Sequence, residues 1–223
     1  MIKSVIFDMD GVLIDSEILY LNHLYEKLKL LYPQISRDSL LAVVGATSER
    51  VMEIVSGVIG LDVSSYAFQK LYAGLWTDCC PDYPSILRKE VPELLKELHH
   101  RGYLVALASS TSRVGIEDVL RTCELKNDFD YVVSGEEFKE SKPHPEIYLH
   151  TAEVLNCTPE ECLVVEDSTY GIMAGHGAGM TVTALLDDRF AFDRSPADYC
   201  INGLMEVLSL LEELASKECA VTV

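Results

Sequence analysis

Five short stretches made almost wholly of apolar residues recur along the chain, and they constrain its fold more than any other feature. They are "SVIF" (4–7), "YLVALAS" (103–109), "YVVS" (131–134), "CLVVED" (162–167) and "MTVTALL" (180–186). Runs this short, without polar alternation, suit strands covered on both faces, which is the habit of a parallel sheet. Helical patterns lie between them. Val91, Leu94, Leu95 and Leu98 keep a 0, 3, 4, 7 spacing, and Gly102 follows "HHR" as a stop with cations in the last turn. "HPEIYLHTAEVL" puts Pro145 in a first helical turn, and "TPEE" (158–161) reads as a capping box. Alternation at this pace predicts an α/β fold with a doubly wound parallel sheet and right-handed crossovers.

One stretch departs from the rhythm. Residues 16 to about 80 hold no strand-like run and carry helical periodicity instead. Ile18, Leu21, Leu24, Leu28 and Leu31 continue one face, and Val51, Ile54, Val55 and Val58 another, with "YPQIS", "GATS" and "CCPDYPS" as breakers. The expected organisation is an α/β core from 1–15 and 84–223, with an all-helical cap domain, 16–83, inserted after the first strand.

Composition narrows the partners. The 48% hydrophobic content suits a globular chain, and no apolar run nears the roughly 20 residues of a membrane span. "MIKSVIFDMD" is too short in its apolar part for a signal peptide. Seven scattered cysteines, two of them adjacent at 79 and 80, point to reduced, mostly buried thiols and a cytoplasmic location. A net charge of −18 argues against nucleic acid or an anionic membrane as partner. The oligomeric state is not legible, and a monomer satisfies everything in the sequence.

The first run ends in "FDMDGVLIDSE", where Asp8, Asp10, Asp15 and Glu17 repel one another. Crowding of this kind implies something that offsets the repulsion, a metal or a reaction. Ligands of open α/β sheets bind beyond the carboxyl ends of the strands. Those ends carry Asp8 and Asp10, then Ser109, Ser110 and Thr111, then Lys142 in "SKPHP", then Glu166 and Asp167. Acids, hydroxyls and one lysine together match the needs of phosphoryl transfer. A carboxylate attacks phosphorus, a second moves protons, Mg²⁺ tolerates several oxygen ligands, and hydroxyls and an ammonium hold the phosphoryl oxygens.

"FDMDGVLIDSE", "LASST", "SKPHPEIY" and "VVEDSTYGIMAGHGAGM" resemble, in order, the four motifs of the haloacid dehalogenase (HAD) superfamily, in its β-phosphoglucomutase-like phosphatase branch. The resemblance spans nearly the whole chain. It implies a Rossmann-like core with an inserted cap that closes over the site, and a Mg²⁺-dependent phosphatase of small phosphorylated metabolites such as sugar phosphates. It implies Asp8 as nucleophile and metal ligand, and Asp10 as acid/base with its backbone carbonyl on the metal. Ser109, Ser110 and Lys142 are the implied phosphate binders, and Glu166 and Asp167 complete the implied metal site. Gly11 lets the backbone turn beside it.

Other residues keep two readings. Asp15 and Glu17 suit a helix start as well as substrate contact, and Gly171, Gly175 and Gly179 suit close helix–sheet packing. Tyr20 and Arg50 are candidates for substrate specificity. The mutases of the branch typically place a His five residues after the Asp that closes the first motif, where this chain has Tyr20 after Asp15. They also place an Arg three residues after the cap-loop Gly; counting from Gly45, that position is Ser48, with Arg50 two residues on. A sugar phosphomutase is therefore the rival reading. A phosphoacceptor signalling domain is weaker, because such domains carry the acceptor after a later strand and lack a helical insertion. "LRKEV" stands where relatives usually have Pro-Gly, which bears on the linker's geometry.

Overall fold

The computed structural model describes residues 1–44, 46, 48–77, 79, 81–190 and 192–221. In chain order the elements are β1 (Ser4–Phe7), α1 (Ser16–Leu31), α2 (Ser48–Ile59), α3 (Tyr66–Leu75), α4 (Tyr83–Ile86) and α5 (Val91–His100). They continue with β2 (Leu104–Ser109), α6 (Arg113–Thr122), β3 (Tyr131–Ser134), α7 (Glu146–Val154) and β4 (Cys162–Glu166). Last come α8 (Thr169–Gly177), β5 (Thr181–Leu185), β6 (Tyr199–Ile201) and α9 (Glu206–Val221). The strands form one sheet in the order β3-β2-β1-β4-β5-β6, parallel throughout. This is the doubly wound α/β arrangement, and the order reverses between β1 and β4, where such sheets open a crevice for ligands.

Strand parity divides the core. Val5, Phe7, Val105, Leu107, Leu163 and Val165 face a cluster that includes α5, α6 and α9. Ile6, Ala106, Ala108, Val164, Val182 and Ala184 face the opposite cluster, with α7 and α8. Alanines on this second face and Gly175 on α8 bring helix and sheet close together. A Cβ on Gly175 would stand 2.9 Å from Val182 Cγ2. β6 escaped the sequence reading: it is a three-residue edge strand, and its middle residue, Cys200, is exposed.

The chain divides into two compact units, Met1–Ile14 with Tyr83–Val223, and Asp15–Asp82. In the second unit α1 buries Leu21, Leu24 and Leu28. Leu31, expected on the same face, is the last residue of the helix and is 59% exposed. His23 Nε2 lies 2.7 Å from Leu75 O, which ties α1 to the end of α3. Arg37 Nε donates to Asn22 Oδ1 at 2.9 Å.

Cys79, Cys123, Cys157, Cys162 and Cys200 are not joined in disulfides. Of these, Cys123 and Cys162 are buried, Cys79 and Cys157 are half-buried, and Cys200 is exposed on the edge strand. Cys80 and Gly45 lie outside the described residues. No helix among the described residues is long and apolar enough to cross a membrane.

Candidate active site

Asp8 follows β1 directly, and its N–H donates to Val165 O at 3.0 Å, which extends the β1–β4 register one residue past the strand. The chain then turns sharply. Leu13 and Ile14 N–H groups both donate to Met9 O, at 2.9 and 3.1 Å. Gly11 has φ +78°, and a Cβ there would overlap the Asp167 carboxylate. Glycine is thus required twice, by backbone conformation and by close approach. Across the turn, Arg88 N–H donates to Leu13 O at 2.9 Å and Arg88 Nη2 to Gly11 O at 2.8 Å. The segment that lacks Pro-Gly therefore braces the first loop.

Parity explains what meets here. Continuing from Ser4 and Ile6, Asp8 points to the α7/α8 face, as Glu166 does after Cys162 and Val164. Lys142, in the loop before α7, reaches both. Its Nζ donates to Asp8 Oδ1 at 2.7 Å, to Glu166 Oε1 at 2.7 Å and to Ala108 O at 3.0 Å, which uses all three ammonium hydrogens. Tyr148 of α7 donates to Glu166 Oε1 at 2.9 Å, and its ring centroid lies 4.8 Å from Lys142 Nζ. Glu166 Oε2 accepts from the Asp167 and Ser168 N–H groups and from Ser168 Oγ, at 3.0, 3.2 and 3.1 Å.

The electrostatics follow from burial. Asp8, Lys142, Glu166 and Asp167 are all buried. Loss of water pushes the Asp8 carboxyl up to about 8; Glu166 and Asp10 push the same way and Lys142 opposes them. Burial also works against the Lys142 ammonium, but Asp8 and Glu166 overcome it and hold Lys142 well above its ordinary range. Tyr148 is raised well above the usual phenol range by burial and by Glu166, so it stays a donor.

Asp8, Glu166 and Asp167 present oxygens that all lie within 4.8 Å of one another. Once Asp8 is ionised, three carboxylates against one ammonium leave two negative charges in a buried place, which one divalent cation cancels. The donors are all hard oxygens, so the set fits Mg²⁺. Glu166 differs from the other two because its oxygens already accept five donors, and it serves as the anchor of Lys142 as well.

Asp10 turns the other way, to the loop after β2. Thr111 Oγ1 donates to Asp10 Oδ2 at 2.6 Å. Thr111 N–H donates to Ser109 Oγ at 3.0 Å, and Ser134 Oγ donates to Thr111 O at 2.7 Å. Ser109 is buried at the end of β2, Ser110 is exposed, and Ser112 caps α6 by accepting from Gly115 N–H at 3.2 Å.

The remaining candidates belong to the helical unit. Tyr20 meets the Trp76 ring edge-on at 6.3 Å, and Trp76 also stacks on His23 at 5.7 Å and meets Tyr72 at 6.1 Å. Arg50, near the start of α2, pairs with Glu53 at 2.7 Å, both more than half exposed. Asp15 stands at the N-cap of α1 without a side-chain capping bond, and Glu17 lies in the first turn.

Tyr148 was missed from sequence. Its one signal was a hydroxyl-bearing ring at a helix position that faces the core, where a buried phenol needs a partner. Arg88 gave no signal, since its role depends on a backbone carbonyl 77 residues away.

The fold and the converging acids define a parallel α/β enzyme with a helical insertion after its first strand. A profile for haloacid dehalogenase-like hydrolases matches residues 5–185, and the chain belongs to that family. It is a hydrolase of the phosphatase and phosphomutase type. Pyrophosphatase PpaX from Bacillus cereus (strain B4264) is 27% identical over 218 residues, 96% of this chain and 98% of the relative. A Thermotoga maritima structure with a provisional assignment as a beta-phosphoglucomutase superposes with a TM-score of 0.74. It is 28% identical and covers 95% of this chain and 99% of its own. CbbY from Rhodobacter sphaeroides, solved in complex with phosphate, gives a TM-score of 0.73 at 23% identity, over 91% and 95% of the two chains, a likeness of fold.

Proposed function

We propose that this protein is a Mg²⁺-dependent phosphatase of small phosphorylated metabolites, working through a phosphoaspartate on Asp8. The observation that carries the reading is the bridge from Lys142 to Asp8 and Glu166 inside a buried acidic trio. In this reading residues 1–15 and 84–223 are the catalytic core, and 16–83 are the cap that selects the substrate, with Tyr20 and Arg50 as its specificity candidates.

Asp8, Asp167 and Glu166, with the Asp10 carbonyl, would hold Mg²⁺. When bound, the ion supplies charge neutralisation of the phosphoryl group and keeps Asp8 ionised despite its burial. An Asp8 carboxylate oxygen attacks phosphorus and the bond to the leaving oxygen breaks, its electron pair staying with that oxygen. Asp10, as the general acid, gives the leaving oxygen its proton. Water then attacks the phosphoaspartate, loses a proton to Asp10, and releases phosphate and the Asp8 carboxylate. Lys142, Ser109 and the N–H groups around Ser110 at the start of α6 stabilise the phosphoryl oxygens.

The test is phosphate release from sugar phosphates, polyol phosphates, nucleoside monophosphates, phosphogluconate and inorganic pyrophosphate, with Mg²⁺ and in chelator. Pyrophosphate belongs in the panel because of the relative named a pyrophosphatase. Turnover that requires Mg²⁺ and is inhibited by Ca²⁺ is expected, since calcium's larger shell disturbs in-line geometry. Full turnover in excess chelator would overturn the reading. A parallel assay with β-glucose 1-phosphate and a trace of the 1,6-bisphosphate covers the mutase. Glucose 6-phosphate forming faster than free phosphate would replace the phosphatase reading with it.

A further inference from the structure

We propose that Thr111 is the positioning residue of Asp10, and that Gly115 sets the rotamer in which Thr111 acts. The inference rests on reading Asp10 as the general acid and base. It begins from how thoroughly Thr111 is held. Its N–H is bound by Ser109 Oγ and its carbonyl by Ser134 Oγ, the latter fully buried. Its side chain has two different ends, and each has a distinct neighbour. The hydroxyl reaches Asp10 Oδ2 at 2.6 Å. The methyl lies over Gly115 of α6, where a Cβ would stand 2.7 Å from Thr111 Cγ2 and 3.3 Å from Ser112 Oγ.

β-Branched side chains are stiff at χ1, so fixing one branch fixes the other. The methyl fits its place because residue 115 lacks a Cβ, and the hydroxyl is thereby aimed at Asp10. A donor on Oδ2 holds the Asp10 carboxyl in one plane and fixes the direction of its other oxygen. One carboxyl oxygen becomes the anchor and the other the site of proton exchange, which is the arrangement that transfer to a leaving oxygen needs.

The experiment is the leaving-group dependence of kcat/KM, which reports steps up to phosphoenzyme formation. Substrates run from dinitrophenyl phosphate, which departs without a proton, through phenyl phosphate to an alkyl phosphate, which needs one. Asp10→Asn should lose about 10²–10⁴-fold on the alkyl ester and little on the dinitrophenyl ester. Thr111→Val keeps a methyl for Gly115 and removes the hydroxyl. It should lose roughly 10-fold or more on the alkyl ester with the activated ester nearly unchanged. Thr111→Ser should restore most of the loss. Gly115→Ala should behave like Thr111→Val, although this exchange otherwise favours a helix interior.

A merely structural effect would lower all three substrates alike. If Asp10→Asn shows the selective loss and Thr111→Val shows a uniform loss or none, Thr111 does not position Asp10 and the inference is wrong. If Asp10→Asn itself loses equally on every substrate, the acid/base reading of Asp10 falls and the inference falls with it.

Discussion

Replacing Lys142 by Met should reveal how the buried acids are tolerated. Lys142 is 5% exposed, and its ammonium is spent on Asp8, Glu166 and Ala108 O. Met has a similar stem, so the change removes charge and hydrogen bonds with little loss of volume. Taking one partner from a buried ion pair costs about 3–5 kcal/mol, because the remaining charge stays uncompensated. For a chain of this length that is roughly 6–20 °C in Tm, at about 2–4 °C per kcal/mol. The assay is thermal unfolding by circular dichroism in chelator and with Mg²⁺. Mg²⁺ should raise the variant's Tm more than the wild type's, since the dication meets three carboxylates with no ammonium among them.

The pH dependence has a definite sign. The Asp8 carboxyl is raised to about 8 from an ordinary 3.8, so between these values the folded protein holds a proton that the unfolded chain has released. Asp8 therefore costs metal-free stability as pH rises through that window. Removing Lys142, which opposes the rise, lifts the Asp8 carboxyl further, so the loss in Lys142→Met should be level below about pH 7 and grow as pH rises past about 8. A loss below about 1 kcal/mol in chelator at pH 8 would refute this, placing the pair in the range of exposed salt bridges.

Gly11→Ala should cost about 1–3 kcal/mol from its positive φ and also weaken protection by Mg²⁺, because its Cβ displaces Asp167; thermal shift with and without the ion reads both. Gly171→Ala would drive a Cβ into the Glu166 carboxylate. Turnover should fall sharply while circular dichroism keeps its helical signal. Arg50→Ala and Tyr20→Ala should change the ranking of phosphate esters in a substrate panel and leave turnover of a small aryl phosphate near wild type. The exposed Arg50–Glu53 pair contributes too little for Tm to move.

The sheet was legible because most of its strands are covered on both faces, so "LVALAS" and "CLVVE" appear as continuous apolar runs. β6 was not, since "YCI" lies at the edge with its middle residue in water. The acids and Lys142 could be noticed because strand ends are where an α/β sheet gathers chemistry. Their mutual arrangement was hidden. That Asp8 pairs with Lys142 while Asp10 turns to Thr111 depends on a tight turn at Gly11 and on which rotamer Gly115 admits, and both are matters of tertiary packing. The five donors around Glu166 were equally invisible, because Tyr148 arrives from a helix 18 residues earlier. For Tyr20 and Arg50, spacing said only that they lie on helices.

The most direct test of the central claim is to locate the phosphoenzyme. The wild type and Asp8→Asn are mixed with a turned-over phosphate ester and Mg²⁺, quenched in acid, reduced with borohydride and mapped by mass spectrometry. The account predicts that the wild type is labelled at Asp8 and that Asp8→Asn carries no label and does not turn over. A label on any other residue, or in the Asp8→Asn protein, would contradict it.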